Sequence, residues 1–216
     1  MSVTFLSKPE ILSLLLKNND NYYDTFTIYD LRARKVESVD EYKEKISKQS
    51  KLPNQKLQMR IEQYTKIIDE LFKNIQLDWF NGKKAGKIPW KIAYIPGIKY
   101  EHGLPHTRND VIILTNPYHL FTTLVHEKVH LYQKRYPNDV EIYLLQKGFE
   151  RVRKREKKDY IRANPDIDKW IYKRGKRIYK CVYKNKYPTS IEDVKCYMFE
   201  HPFEKMAYDI EKLINL

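Results

Sequence analysis

A chain of 216 residues with 42% hydrophobic and 32% charged side chains can bury a core of its own and is too short to need two domains. Its balance fits neither a disordered nor a membrane-embedded protein. No apolar run approaches the roughly 20 residues that cross a bilayer, the longest candidate being residues 11–16. The first residues also lack the basic-then-apolar order of a secretory signal. A single domain over residues 1–216, with no membrane span and resident inside the cell, is the expectation.

The first third, residues 1–78, reads as helical. Ser7 can cap a helix with Pro9 in its first turn and Ile11, Leu12, Leu15 and Leu16 on one apolar face. Ser38-Val39-Asp40-Glu41 has the pattern of a capping box ahead of a short Lys/Glu helix. From Asn54 to about Ile75, apolar residues recur at three- and four-residue steps (Leu57, Ile61, Tyr64, Ile68, Leu71, Ile75), which describes an amphipathic helix.

Across residues 79–137 glycines and prolines break the chain into short pieces. Residues 91–95 and 111–114 are the best strand candidates, separated by a loop over 97–109. Asn116-Pro117 supplies a helix start, and residues 118–135 form a helix that Tyr136-Pro137 ends.

The remainder, residues 138–216, begins with a helix from Asn138 to about Val152 that turns Ile142, Leu145, Phe149 and Val152 inward. A basic stretch follows. Residues 147–187 hold 16 basic and 5 acidic side chains, so nearly all of the formal charge of +13 is local. Such a patch suits nucleic acid or an acidic partner, and equally a Lys-rich composition with no partner. Trp170-Ile171-Tyr172 and Ile178-Tyr179 flank Gly175 as a hairpin would. Asn164-Pro165-Asp166 reads as a turn. Pro202 opens a last helix with Met206, Ile210, Leu213 and Ile214 on its buried face. Cys181 and Cys196 are too few for a disulfide framework and are not spaced as a metal-binding pair, so both read as free thiols.

The chemistry concentrates in His126-Glu127-Lys128-Val129-His130. Residues four apart on a helix share a face one turn apart, so both imidazoles can reach one zinc ion. Glu127 falls beside them, where it can act as general base towards water activated by the metal. A catalytic zinc usually takes a third protein ligand. Glu204 is the leading candidate, because it opens the last helix and Ala207 one turn on allows close packing against the motif helix. Glu150 is the rival by spacing, although Arg151, Arg153, Lys154 and Arg155 make its neighbourhood solvated and positive. Glu200 and His201 are further alternatives.

This combination resembles the zincin metallopeptidases, specifically the gluzincins, in which HExxH is followed by a downstream Glu ligand. The resemblance covers the motif helix, the strand before it and Glu204 with Ala207. It implies an α+β zincin-like fold, mainly helical, whose small twisted sheet precedes the motif helix. The sheet's edge strand, here expected at 111–114, would bind the substrate backbone above the zinc. It also implies zinc-dependent hydrolysis of a peptide or protein substrate. His102 and His106 in the 97–109 loop, and Tyr208 one turn beyond Glu204, are candidates for stabilising the oxyanion. A nucleic-acid-associated binding protein acting through residues 147–187, and a zincin scaffold without activity, are the competing readings.

Overall fold

The computed structural model describes residues 2–47, 49–196 and 199–214. It is an α+β protein in which helices cover both faces of a four-stranded sheet. Strand β1 (Val3–Phe5) leads into helices α1 (Lys8–Leu16), α2 (Ile28–Ala33), α3 (Val39–Ile46) and α4 (Gln55–Lys73). A two-stranded ribbon, β2 (Gln76–Leu77) and β3 (Phe80–Asn81), and short helix α5 (Gly82–Gly86) precede β4 (Trp90–Tyr94), β5 (His106–Arg108) and β6 (Val111–Leu114). Helices α6 (Leu120–Arg135) and α7 (Pro137–Gln146) follow, then a three-stranded sheet of β7 (Glu150–Lys154), β8 (Trp170–Arg174) and β9 (Arg177–Tyr179). A hairpin of β10 (Cys181–Tyr183) and β11 (Val194–Cys196) connects to the final helix α8 (Pro202–Ile214).

The main sheet has the order β1-β4-β6-β5, with β1, β4 and β6 parallel and β5 antiparallel at one edge. Alternate residues of a strand face opposite sides, and the two central strands use that period to feed two cores. Trp90, Ile92, Ile112 and Leu114 pack with Ile61, Ile68 and Phe72 of α4, Leu124 and Val129 of α6, and Met206 and Ile210 of α8. Ala93, Ile95, Val111 and Ile113 pack on the other side with Ile11, Leu15, Tyr42 and Ile46 of the N-terminal helices. Ser38 and Asn54, at the expected helix starts, accept from the Glu41 and Leu57 backbone N–H groups, and Thr27, which the sequence did not single out, accepts from that of Asp30.

Three expectations need correction. Strand 111–114 is interior to the sheet, and the edge is β5, paired antiparallel with it. Its sequence His-Thr-Arg lacks apolar alternation; its burial comes instead from Arg108, which pairs with Asp20 and lies over the rings of Tyr22 and Tyr23. Helix α7 stops at Gln146, and Gly148 takes a φ of +70° that bulky residues avoid, redirecting the chain into β7. Of the four residues expected inward there, Phe149 is buried while Ile142, Leu145 and Val152 are exposed. Cys181 and Cys196 are not free: they face each other across the β10–β11 ladder and form a disulfide. The expected hairpin around Gly175, whose φ is +57°, is present as β8 and β9. On the last helix Met206 and Ile210 are buried and Leu213 is exposed.

Candidate metal centre

Helix α6 is enclosed on nearly every side. Leu124, Val125, Val129, Leu131 and Tyr132 anchor it in the main core, while Glu127, His130 and Gln133 are polar yet buried. Burying those groups is costly unless each finds a partner or an ion. Helix α8 packs against α6, and Ala207, Met206 and Ile210 are its buried contact residues. The small Ala207 side chain permits the close approach that places the first turn of α8 over His126 and His130.

His126, His130 and Glu204 converge, each offering a ligand atom, with all three atoms within 4.8 Å of one another. Glu204 Oε2 lies 3.1 Å from His126 Nε2 and 3.7 Å from His130 Nε2. The remaining atoms of these ligands are tied down from behind. His130 Nδ1 bonds Gln133 Oε1 at 2.8 Å, and the Gln133 amide donates to the Phe203 carbonyl at 2.8 Å. His126 Nδ1 bonds the Glu211 carboxylate. With the outer nitrogen of each ring donating, both Nε2 lone pairs face the same point as a carboxylate oxygen.

Three electron-pair donors aimed at one point could hold a cation, and the chain's own polar balance fits that use. His130 Nε2 and Glu127 Oε2 are buried and have no hydrogen-bond partner. Without an ion the surrounding carboxylates favour positive charge at the centre, so a metal ion has to displace a proton from His126. Burial opposes the charge on His126, but the hydrogen bonds of Glu204 and Glu211 push it up to about 11. Burial likewise raises Glu204, yet the two imidazoles hold it well below the usual carboxylate range. Zinc suits the donor set, two imidazole nitrogens and one carboxylate oxygen.

Glu127 lies on the same face. Burial, and then the nearby Asp166 carboxylate, push its pKa up to about 8 against the opposing pull of His130 and His126. A cation at the point faced by the two imidazoles would oppose that shift and favour the ionised carboxylate, the form a general base needs. Glu127, the three ligands and Tyr208 all line one cavity of about 470 Å³, walled also by Leu104, His106, Thr123, the 162–166 segment and Phe199. The Tyr208 ring stands 4.9 Å from that of His126 and is partly open to solvent.

The other residues singled out are placed differently. His106 lines the cavity, but its Nε2 bonds the Tyr100 hydroxyl at 3.0 Å and its Nδ1 the Leu104 carbonyl at 3.1 Å. Neither nitrogen is left for an oxyanion. His102 is at the surface, 3.0 Å from Glu192. Glu150 is exposed on β7 and pairs with Lys173 at 2.9 Å, which removes it as a ligand. Glu200 pairs with Arg162 at 2.5 Å, and His201 accepts from the Phe203 amide, capping α8.

The edge strand is also engaged. Asp166 accepts from the Thr107 N–H at 2.9 Å, and Lys134 donates to the Thr107 carbonyl at 2.9 Å. The outward backbone groups of β5 are thus satisfied by side chains of this chain. Sequence reading missed Glu211, Gln133 and Asn164 beside the centre. Glu211 was accessible to it, being seven residues, two helical turns, beyond Glu204 and so on the same face.

Some basic residues of the 147–187 segment are paired with carboxylates. Arg151 pairs with Glu141, Arg153 with Asp159, Lys158 with Glu156, and Lys147 with Asp209. Among the described residues no helix is long and apolar enough to cross a membrane. No family model, curated protein or solved structure matches this chain.

Proposed function

We propose that this protein is a zinc-dependent metallopeptidase of zincin-like, gluzincin type, acting on peptide or protein substrates. The observation that carries the reading is the convergence of His126, His130 and Glu204 on one point beside the unpartnered, buried carboxylate of Glu127. Zinc held by those three side chains would supply Lewis acidity, acidifying water and polarising a carbonyl.

The chain's own residues divide the remaining work. Glu127, whose buried carboxyl has an oxygen without a hydrogen-bond partner, accepts the proton of the attacking water and carries it to the departing amine. Glu211 and Gln133 hold the imidazoles with Nε2 inward. Tyr208, whose hydroxyl sits at the rim of the same cavity, is the donor available to a developing oxyanion. With its backbone edge taken at Thr107, β5 contributes side-chain wall to substrate binding and not a free Thr107 pairing site. The Cys181–Cys196 bond favours an oxidising compartment, since such bonds are reduced in the cell interior.

The test is a metal count and one variant. Purified protein should hold about one zinc per chain, and Glu127→Gln should keep that zinc while losing peptide cleavage. Cleavage retained by Glu127→Gln would sink the mechanism, and protein that binds no zinc would sink the centre.

A further inference from the structure

The turn Asn164-Pro165-Asp166 forms part of the cavity wall. Asn164 Oδ1 accepts from the Asp166 N–H at 2.8 Å, which fixes which end of the side-chain amide faces inward. The Nδ2 end donates to Glu204 Oε1 at 2.9 Å and to Glu200 Oε2 at 3.2 Å. Glu204 therefore has its two oxygens assigned: Oε2 faces the imidazoles and Oε1 is held by an amide.

The turn is itself pinned on three sides. The Arg162 N–H donates to the Cys181 carbonyl at 3.0 Å, and the Tyr183 N–H to the Tyr160 carbonyl at 2.7 Å, tying the segment to β10. The Ala163 N–H donates to the buried Asp30 of α2 at 2.8 Å, and Asp166 bonds the Thr107 N–H of β5. Asn164 thus rides on backbone fixed by three separate elements. A neutral donor in that position steers a carboxylate without neutralising it, as an ammonium would.

We propose that Asn164 is a positioning residue for the metal, holding Glu204 as a one-oxygen ligand; this rests on the zinc reading above. Outer partners of this kind contribute about 10- to 100-fold in metal affinity. The competing role is purely local, since Asn before Pro makes turns in many loops.

Asn164→Asp separates the two, because aspartate keeps the acceptor for the Asp166 N–H but presents an oxygen to Glu204 where a donor stood. Zinc affinity measured by competition with a chromogenic chelator, alongside melting of the zinc-free protein, gives the readout. Asn164→Asp should weaken zinc about 10- to 100-fold while the zinc-free midpoint stays within about 2 °C of wild type; Asn164→Ala should weaken zinc similarly but lower that midpoint further, having lost the acceptor for the Asp166 N–H as well. Asn164→Ser stands in should either fail to fold. Zinc affinity within about twofold of wild type in Asn164→Asp, or a loss matched by equal destabilisation of the zinc-free protein, overturns the proposal. His126→Ala is the control: if it abolishes zinc binding while Asn164→Asp does not weaken it, only the role of Asn164 fails. If His126→Ala binds zinc as tightly as wild type, the metal centre fails and this inference with it.

Discussion

The α6–α8 contact and the β7–β9 sheet both gather charged side chains, and they dispose of them in opposite ways. On the sheet, cations are spread over exposed strands and meet carboxylates one at a time, as with Arg151 and Glu141 or Lys173 and Glu150. Between the helices, four titratable groups are drawn inward and left facing each other, two of them with buried atoms that have no partner. The sheet carries an excess of positive charge, and the helices carry the unsatisfied chemistry. What marks a site is the geometry in which charge is left uncompensated, and net charge says little about it.

That contrast can be broken experimentally, most forcefully at Glu127. Glu127→Gln should lower peptide cleavage by about 10²- to 10⁴-fold at unchanged zinc content, whereas Glu150→Gln should leave both untouched. A metal requirement that follows Glu150 would reverse the assignment of the two regions.

The disulfide sits between them, linking β10 and β11 just ahead of α8. Closing a loop of 15 residues stabilises a fold by about 3 kcal/mol, chiefly by restricting the unfolded chain. Unfolding free energies from denaturant titration of zinc-free protein with and without reductant should differ by about that amount. Equal midpoints would show that the hairpin is held by its strands alone.

A smaller effect distinguishes the two faces of α6 itself. Lys128, adjacent to Glu127 but turned into the core, donates to the Ile88 carbonyl and lies 3.8 Å from the centre of the Trp90 ring. Burial, only partly opposed by Asp69, lowers its pKa to about 7. A folded-state pKa depressed below the unfolded value means that the charged form is penalised in the fold. The penalty is complete below pH 7 and lifts as pH rises towards the unfolded value near 10.4. Stability of the wild type relative to Lys128→Met should therefore improve by up to about 1.4 kcal/mol per pH unit between pH 7 and 10. A flat difference would mean that Lys128 keeps its charge in the fold, with no depressed pKa. Least of all, Arg151→Ala should cost under about 1 kcal/mol, the scale of an exposed ion pair, and a larger loss would make the sheet's charges structural.

Much of the centre was legible because a helix imposes a period. His126, Glu127 and His130 are neighbours by local geometry, and Glu204 could be chosen by its place at a helix start one turn before Ala207. What escaped depends on approach between distant segments. Asn164 reaches Glu204 only because β10, α2 and β5 converge on its turn. The edge strand escaped because its burial rests on Arg108 with Asp20 and two tyrosines, a polar arrangement with no period-two signature. The cysteine pairing escaped because the Lys-rich stretch between the two strands hid the hairpin. The overshoot of α7 is the one error that the sequence could have corrected, since Gly148 was there to end it.

The engagement of Thr107 by Asp166 and Lys134 has a consequence outside the centre. An open sheet margin is an invitation to any extended segment nearby, including the same margin on another molecule. Here the outward amide and carbonyl at Thr107 are already answered by a carboxylate and an ammonium of the same chain. The molecule carries its own stopper against strand-to-strand self-association on that side.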